Sequence, residues 1–269
     1  MDWTPGAEHS FLYAAVEKGY FREQGLDVAI QAGDGSTTSA KLVGTGTIDY
    51  ALCSGDTALT AASAGVPIRA LAVLYSRAPT VIYSRKDRNI THPKDLEGHK
   101  YGANMKSTTY QQFLAFCRLT GVDLSKVEVL ATGGVAQDIL TNAVDASGAY
   151  TYLQPVQCEL EGVQVNEMLL SDFGLNSYSM SIIGNRNTLR PDVTRRLLKA
   201  ALRAFQEMIN DPSSALQAFL KANPTANKEF EARKLAKLVS FLKENLKTQG
   251  HVGWHSLQGW KQTQEFLLS

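Results

Sequence analysis

The stretch His9 to Ile30, "HSFLYAAVEKGYFREQGLDVAI", decides how the rest of the chain is read. Phe11, Leu12, Ala15 and Val16 fall on one stripe at helical spacing, which predicts an amphipathic helix over His9 to Lys18. Gly19 stands where a helix ends in a left-handed turn, and Lys18 suits the negative end of the helix dipole. Tyr20 and Phe21 are expected to fold back as apolar plugs, and Gly25 turns the chain into "LDVAI", read as a strand. Helix, cap, turn and strand make one unit of a mostly parallel sheet. A first strand is expected to begin almost at Met1.

The texture continues in kind without repeating in sequence. "TTSAKLVGTG" and "DTALTAASAG" read as helices stopped by glycine, with "IDYALC" and "PIRALAVLY" as strands between and after them. Past Pro79 a strand leads to "STTYQQFLAFCRLTG", a strong helix, then "VEVLAT", the helix "GGVAQDILTNA" and the strand "DASGAYT". From Arg190 onward the chain reads as long helices, and Pro191 sits where a helix start tolerates proline. Short glycine-rich joints between alternating elements indicate an α/β architecture. No low-complexity tether separates domains, so any crossing between two lobes must be short.

Composition narrows the function. The net charge of +1 over 269 residues leaves no electrostatic footprint for nucleic acid. No run approaches the roughly 18 to 20 apolar residues of a membrane span. Cys53, Cys117 and Cys158 are an odd set without CxxC spacing, which argues for buried thiols rather than a zinc site or disulfides. His251 and His255 stand four apart, but Gly250 and Gly253 argue against helix there, so no metal is expected. No cofactor is expected either.

Several blocks together, "DWTPGAEHSFLYAAVEKGYFREQGLDVAI", "KLVGTGTIDYAL", "AASAGVPIRALAVL", "THPKDLEGHKYGA" and "RPDVTRRLLKAALRAFQEMINDPSSA", resemble the solute-binding proteins of ABC importers. The matching branch includes binders of thiamine-pyrimidine precursors, riboflavin, alkanesulfonates, taurine and nitrate. The resemblance implies a periplasmic-binding-protein type II fold, a two-lobe venus flytrap with mixed sheets flanked by helices. Lobe one would hold residues 1–79 and 180–269, lobe two residues 80–179, with the ligand between them. It implies a monomer outside the cytoplasm (periplasmic, its leader lying outside this sequence) that delivers a small molecule to an ABC permease in the membrane. The same superfamily holds a yeast-type enzyme that makes the thiamine pyrimidine from its own histidine and pyridoxal phosphate. Cys53 and Thr57 stand where that enzyme has a lysine and a histidine, and "LNSYSMSI" lacks its iron-binding cysteines. An enzyme of that kind is therefore not expected.

Candidate ligand residues follow from the carboxyl-end loops that such sheets offer. Trp3 could stack on an aromatic ring, or merely pack on a lobe surface; His9 starts a helix and is a candidate contact. Ser54, Asp56 and Thr57 precede a helix whose free N–H groups could bind an acceptor, while Asp56 suits an amine or ring N–H. Capping alone is the plainer reading of the same residues. "KSTTYQQF" is the counterpart, with Lys106, Ser107, Thr108 and Thr109 ahead of a strong helix. Two helix starts of this kind would also suit a sulfonate, carboxylate or nitrate, the alternative ligand class. Tyr75, Tyr150, Tyr152 and Tyr178 stand at strand ends, as pocket walls or as core. Gln154 takes the place where related pyrimidine binders carry a carboxylate, and offers pairing without charge.

Overall fold

The computed structural model describes residues 1–105 and 107–268, with Thr248 and Gln249 described by backbone alone. In chain order the regular elements are α1 (Ser10–Glu17), α2 (Tyr20–Glu23), α3 (Ser36–Gly44), β1 (Tyr50–Ser54), α4 (Gly55–Ser63) and β2 (Ile68–Val73). Next come β3 (Thr80–Arg85), β4 (Lys100–Ala103), α5 (Thr108–Thr120), β5 (Glu128–Ala131), α6 (Ala136–Leu140), β6 (Ala146–Tyr150), α7 (Gln154–Leu160) and β7 (Val165–Leu169). β8 (Met180–Asn185) follows, then α8 (Pro191–Asn210), α9 (Pro212–Ala222), α10 (Lys228–Gln249) and α11 (Leu257–Leu268). The chain divides into a first unit, Met1–Arg77 with Ser177–Gln264, and a second, which begins with Ala78–Asn176. From Glu265 the last residues cluster with the second unit, because Phe266 is buried in that unit's core.

The first unit is built on three strands in the order β1-β8-β2, both pairs antiparallel. Cys53 opposes Ser181 on one side of β8, and Val73 opposes the same residue on the other. β8 lies between two strands, and all six of its residues are buried. Ala51 and Cys53 of β1 face Ala40 and Val43 of α3 and Ala58 of α4. Tyr50 points the other way, and its hydroxyl lies 2.8 Å from Thr194 Oγ1 on α8. Phe11 of α1 meets Phe205 of α8 edge-on at 5.1 Å, and Tyr13 meets Phe219 of α9 at 5.5 Å.

The opening helix forms, with a different stripe. Phe11, Ala14 and Ala15 are buried, while Val16 is exposed. Gly19 takes φ +76°, as a left-handed stop requires, and Tyr20 and Phe21 are buried behind it. Two expected strands are corrected: neither Met1 to Trp3 nor Leu26 to Ile30 joins a ladder among the described residues. Leu26, Val28 and Ile30 keep the half-buried alternation of a strand. Their neighbours make only scattered bonds, from Met1 N to Gln31 O, Gly33 N to Trp3 O and Gly35 N to Asp2 O. The mostly parallel sheet is also corrected for this unit, since β8 runs against both of its neighbours.

The start of α1 is fixed from below by buried charge. Lys234 Nζ on α10 lies 2.5 Å from Glu8 Oε2 and 3.5 Å from Glu231 Oε2, and Ala7 N donates to Glu231 at 2.6 Å. All three side chains are buried, so their mutual pairing is what makes that burial tolerable.

The second unit has five strands in the order β5-β4-β6-β3-β7. β5, β4 and β6 run parallel, whereas β3 runs against β6 and β7. One face packs Ile82, Tyr101 and Ala146 against Phe113 and Phe116 of α5, with the rings of Tyr101 and Phe113 stacked at 3.6 Å. The other packs Val81, Tyr83 and Ala149 against Ile139 of α6 and Cys158 of α7. The expected long helix over "GGVAQDILTNA" shrinks to the five residues of α6. Gly134 takes φ +65° and Asn142 φ +56°, left-handed positions on either side of it.

Candidate functional site

In the first unit β1 runs into α4 with no loop between them. Gly55 makes this possible: a Cβ there would come 2.6 Å from the carbonyl oxygen of Tyr178. Ser54 N donates to Ser36 Oγ at 2.9 Å, which ties the end of β1 to the start of α3. Gly35, at φ +103°, lets the chain turn into α3, and its N–H donates to Asp2 O at 2.7 Å. Gly33 N donates to Trp3 O at 2.9 Å. The amino-terminal residues are thus laid against the starts of two helices. Trp3 is 57% exposed, lying over the bare backbone of Gly35.

Four ionisable groups, Asp2, His9, Cys53 and Asp56, gather around this point. Asp2 Oδ1 lies 2.9 Å from His9 Nε2, and His9 is 1% exposed. Burial works to raise the Asp2 carboxyl, but the hydrogen bond and charge of His9 outweigh it and hold the group below its ordinary range. Asp56 is buried at the first turn of α4, where Thr57 N and Thr57 Oγ1 donate to its Oδ1 at 2.5 and 3.2 Å. Burial raises its carboxyl despite hydrogen bonds from Ser54 and Thr57. Between the two lies Cys53: burial first, then the charges of Asp56 and Asp2, push its thiol up to about 12. A thiol so raised stays protonated at neutral pH and is a poor nucleophile.

Trp3, His9, Ser54, Asp56 and Thr57 therefore belong to one cluster, joined by Asp2, Ser36 and Cys53. The two candidate tyrosines of this unit, Tyr75 and Tyr178, do not expose their rings. Tyr75 is buried with its ring tilted against Phe205, 6.2 Å away. Tyr178 is also buried: its hydroxyl accepts from Ser256 N at 3.0 Å, and its ring meets Trp260 edge-on at 5.0 Å. Its carbonyl and Cβ, not its ring, come close to Gly55.

In the second unit the parallel strands β4, β5 and β6 send their carboxyl ends to one edge, where α5, α6 and α7 begin. Ser107 caps α5 by accepting from Tyr110 N at 3.2 Å, and its Oγ also donates to Asn104 O at 2.7 Å. Thr109 Oγ1 lies 2.9 Å from that same oxygen, while Thr108 is exposed. Lys106 lies outside the described residues. Gly134 approaches Asn104 closely, and its N–H donates to Thr132 Oγ1 at 3.1 Å. Gln154 Nε2 donates to Gly134 O at 3.5 Å, while Gln154 Oε1 is buried with no hydrogen-bond partner in the described residues. Tyr150 stacks on Tyr152 at 5.9 Å; Tyr152 is buried and Tyr150 half-buried. This edge is polar; Asp138, in the first turn of α6, accepts from Val135 N at 3.1 Å, and Glu167 accepts from Thr151 Oγ1 at 2.5 Å.

Asp2 is the member of the first cluster that sequence reasoning missed. It stands seven residues before its partner, and no single element spans the two. Ser36 joins the cluster from the start of α3. No group of three or more His, Cys, Asp or Glu side chains among the described residues could hold a metal ion. Instead, His255 accepts from Trp260 Nε1 at 3.0 Å, and burial lowers its imidazole pKa. No described helix is long and apolar enough to cross a membrane.

The chain is 24% identical over 275 residues to a riboflavin-binding protein of Chloroflexus aurantiacus, covering 99% of this chain and 78% of that one. It is 25% identical to a formylaminopyrimidine-binding protein of Halalkalibacterium halodurans, with coverage of 99% and 83%. It is also 25% identical to a 4-amino-5-hydroxymethyl-2-methylpyrimidine phosphate synthase of Saccharomyces cerevisiae, with coverage of 97% and 80%. Among solved structures, the periplasmic aliphatic sulphonate-binding protein of Escherichia coli superposes with a TM-score of 0.69. Its identity is 14%, with coverage of 96% and 89%, so the likeness is one of fold. That fold is the periplasmic-binding-protein fold. Residues 6–215 match the family described as NMT1/THI5 like, and the chain belongs to that family.

Proposed function

We propose that this chain is the solute-binding component of an ABC importer and holds a small aromatic or heteroaromatic molecule, such as a pyrimidine or another vitamin precursor. The observation that carries the reading is Trp3, an exposed indole on a backbone pinned by Gly33 and Gly35, beside the buried Asp2–His9 pair. An indole so placed offers a flat apolar face to a ring. The riboflavin-binding and formylaminopyrimidine-binding relatives support this ligand class. The working form is a monomer outside the cytoplasm with a membrane permease as partner.

The chemistry favours a binder over a synthase. The Cys53 thiol is held protonated, and no hydroxyl or thiol among the described residues sits on His9 Nδ1. Among the described residues, His9 is therefore paired with no nucleophile. A protein of the synthase type should show pyridoxal absorbance and take up iron; this chain is expected to do neither. A small anion is the second reading, favoured by the Ser- and Thr-bearing starts of α4 and α5. Against it stands the carboxylate of Asp2, which repels a bare anion.

A thermal-shift screen against pyrimidines, flavins, aromatic carboxylates, sulfonates, taurine and nitrate tests the reading. Ligand at 100 times its Kd adds about 2.7 kcal/mol of stability, which at about 2–4 °C per kcal/mol raises Tm by roughly 5–10 °C in a chain of this size. Heteroaromatic hits are expected, and Trp3→Ala should weaken them by about 0.5–1.5 kcal/mol, the worth of a stacked aromatic pair. Hits confined to sulfonates or nitrate, indifferent to Trp3→Ala, would replace this reading with the anion one.

A further inference from the structure

We propose that His9 is a positioning residue for Trp3: through its bond to Asp2 it fixes the backbone that carries the indole, and it does not itself touch the solute. The inference rests on the stacking role given to Trp3 above, and it changes the part expected of His9 from contact to support.

Residues 1–3 belong to no strand ladder among the described residues. Their backbone is tethered by Met1 N to Gln31 O, Gly33 N to Trp3 O and Gly35 N to Asp2 O, with Ser39 Oγ donating to Met1 O at 3.3 Å. Tyr13 adds a long contact to Met1 Sδ at 3.9 Å. The indole itself has no hydrogen-bond, ionic or ring partner among the described residues, and it lies over Gly35, which has no side chain to hold it. No polar or ring contact of its own therefore sets its orientation. The one close side-chain anchor in the segment is Asp2 Oδ1 on His9 Nε2 at 2.9 Å.

His9 is well suited to be the fixed end of that bond. It opens α1, whose Phe11, Ala14 and Ala15 are core residues, and it follows Glu8, which is ion-paired to Lys234. At 1% exposure the imidazole is shielded, whereas Trp3, one residue beyond Asp2, is open. A charge-assisted bond in a shielded place is strong and directional. His9, Asp2 and Trp3 thus read in series as post, pin and arm.

The first test needs no ligand. The protein is labelled with 5-fluorotryptophan, and its three 19F resonances are assigned with Trp3→Phe. His9→Leu and Asp2→Ala should each move or broaden the Trp3 resonance and leave those of Trp254 and Trp260 in place, which also reports an intact fold. His9→Gln, which keeps a donor for Asp2, should restore the Trp3 signal. An unchanged Trp3 resonance in Asp2→Ala would overturn the proposal, even if His9→Leu fails to fold.

The second test is a double-mutant cycle read with riboflavin and 4-amino-5-hydroxymethyl-2-methylpyrimidine as probes. His9→Leu and Trp3→Ala should each weaken binding, and the double variant should be no weaker than the worse single one. Losses that multiply would make His9 a direct contact and sink the positioning role. Should neither probe bind, the heteroaromatic reading is what fails, and the fluorine spectra still decide the present one.

Discussion

The two units keep their charge in different places. Glu8, His9, Asp56, Glu231 and Lys234 are all buried and all lie in the first unit. Among the described residues of the second unit, the buried polar side chains are Thr80, Ser84, Gln112, Ser147, Thr151 and Ser171, none of them charged. The candidate residues follow the same division, with Asp2, His9 and Asp56 on one side and Ser107, Thr109 and Gln154 on the other. A buried charge must be matched atom for atom, whereas a buried hydroxyl is satisfied by any nearby carbonyl. The first unit therefore buries charged side chains, whereas the described residues of the second bury only neutral hydrogen-bonding ones.

The most severe way to break this contrast is Lys234→Met. It leaves Glu8 and Glu231 buried without their cation, a loss of about 3–5 kcal/mol. Urea denaturation should show the first unit melting early while the second keeps its transition. A single transition shifted as a whole would mean that the units share one cooperative core.

A gentler test uses acid. The folded pKa of Asp2 lies below the ordinary 3.8, so its contribution is present above that value and is lost as pH falls through the folded one. Asp56 has the opposite sign: its folded pKa lies above 3.8, the native state binds the extra proton, and stability falls as pH rises through that window. Asp56→Asn should thus cost least near neutral pH, whereas Asp2→Asn should flatten the loss of stability on acidification. Tm against pH, over roughly pH 3 to 6 where carboxyls titrate, checks both signs. Parallel profiles for the two variants would contradict the assignment.

The smallest expected effect lies in the second unit. Ser107→Ala removes the α5 cap and should cost about 1 kcal/mol, by the same amount at every pH in that range. A pH-dependent cost would place an unrecognised charge beside α5.

Much of this architecture was legible in the sequence because it is set by local chemistry. Gly19 stops α1 in the left-handed conformation that its position foretold, and Ser107 caps α5 as a serine before an apolar-periodic run should. What misled was information that only the partner strand carries. Leu26, Val28 and Ile30 alternate as a strand does, yet no ladder forms there among the described residues. The antiparallel first sheet depends on β8, which returns after the whole second unit has been threaded. In the site, Trp3 was legible as a large aromatic near a strand end. Tyr75 and Tyr178 look the same in sequence but are enclosed, and only packing separates the cases. The Asp2–His9 bond has no periodic signature at all.

The placement of the tryptophans has a practical consequence. Trp3, Trp254 and Trp260 are the only three in the chain, and every one falls in the first unit. Indole emission is then a private channel to that unit, and the second is dark to it. An unfolding curve followed by tryptophan fluorescence can reach its plateau while the secondary structure of the second unit still stands. Disagreement between fluorescence and far-ultraviolet circular dichroism would, in this protein, be the ordinary signature of two halves melting on their own schedules.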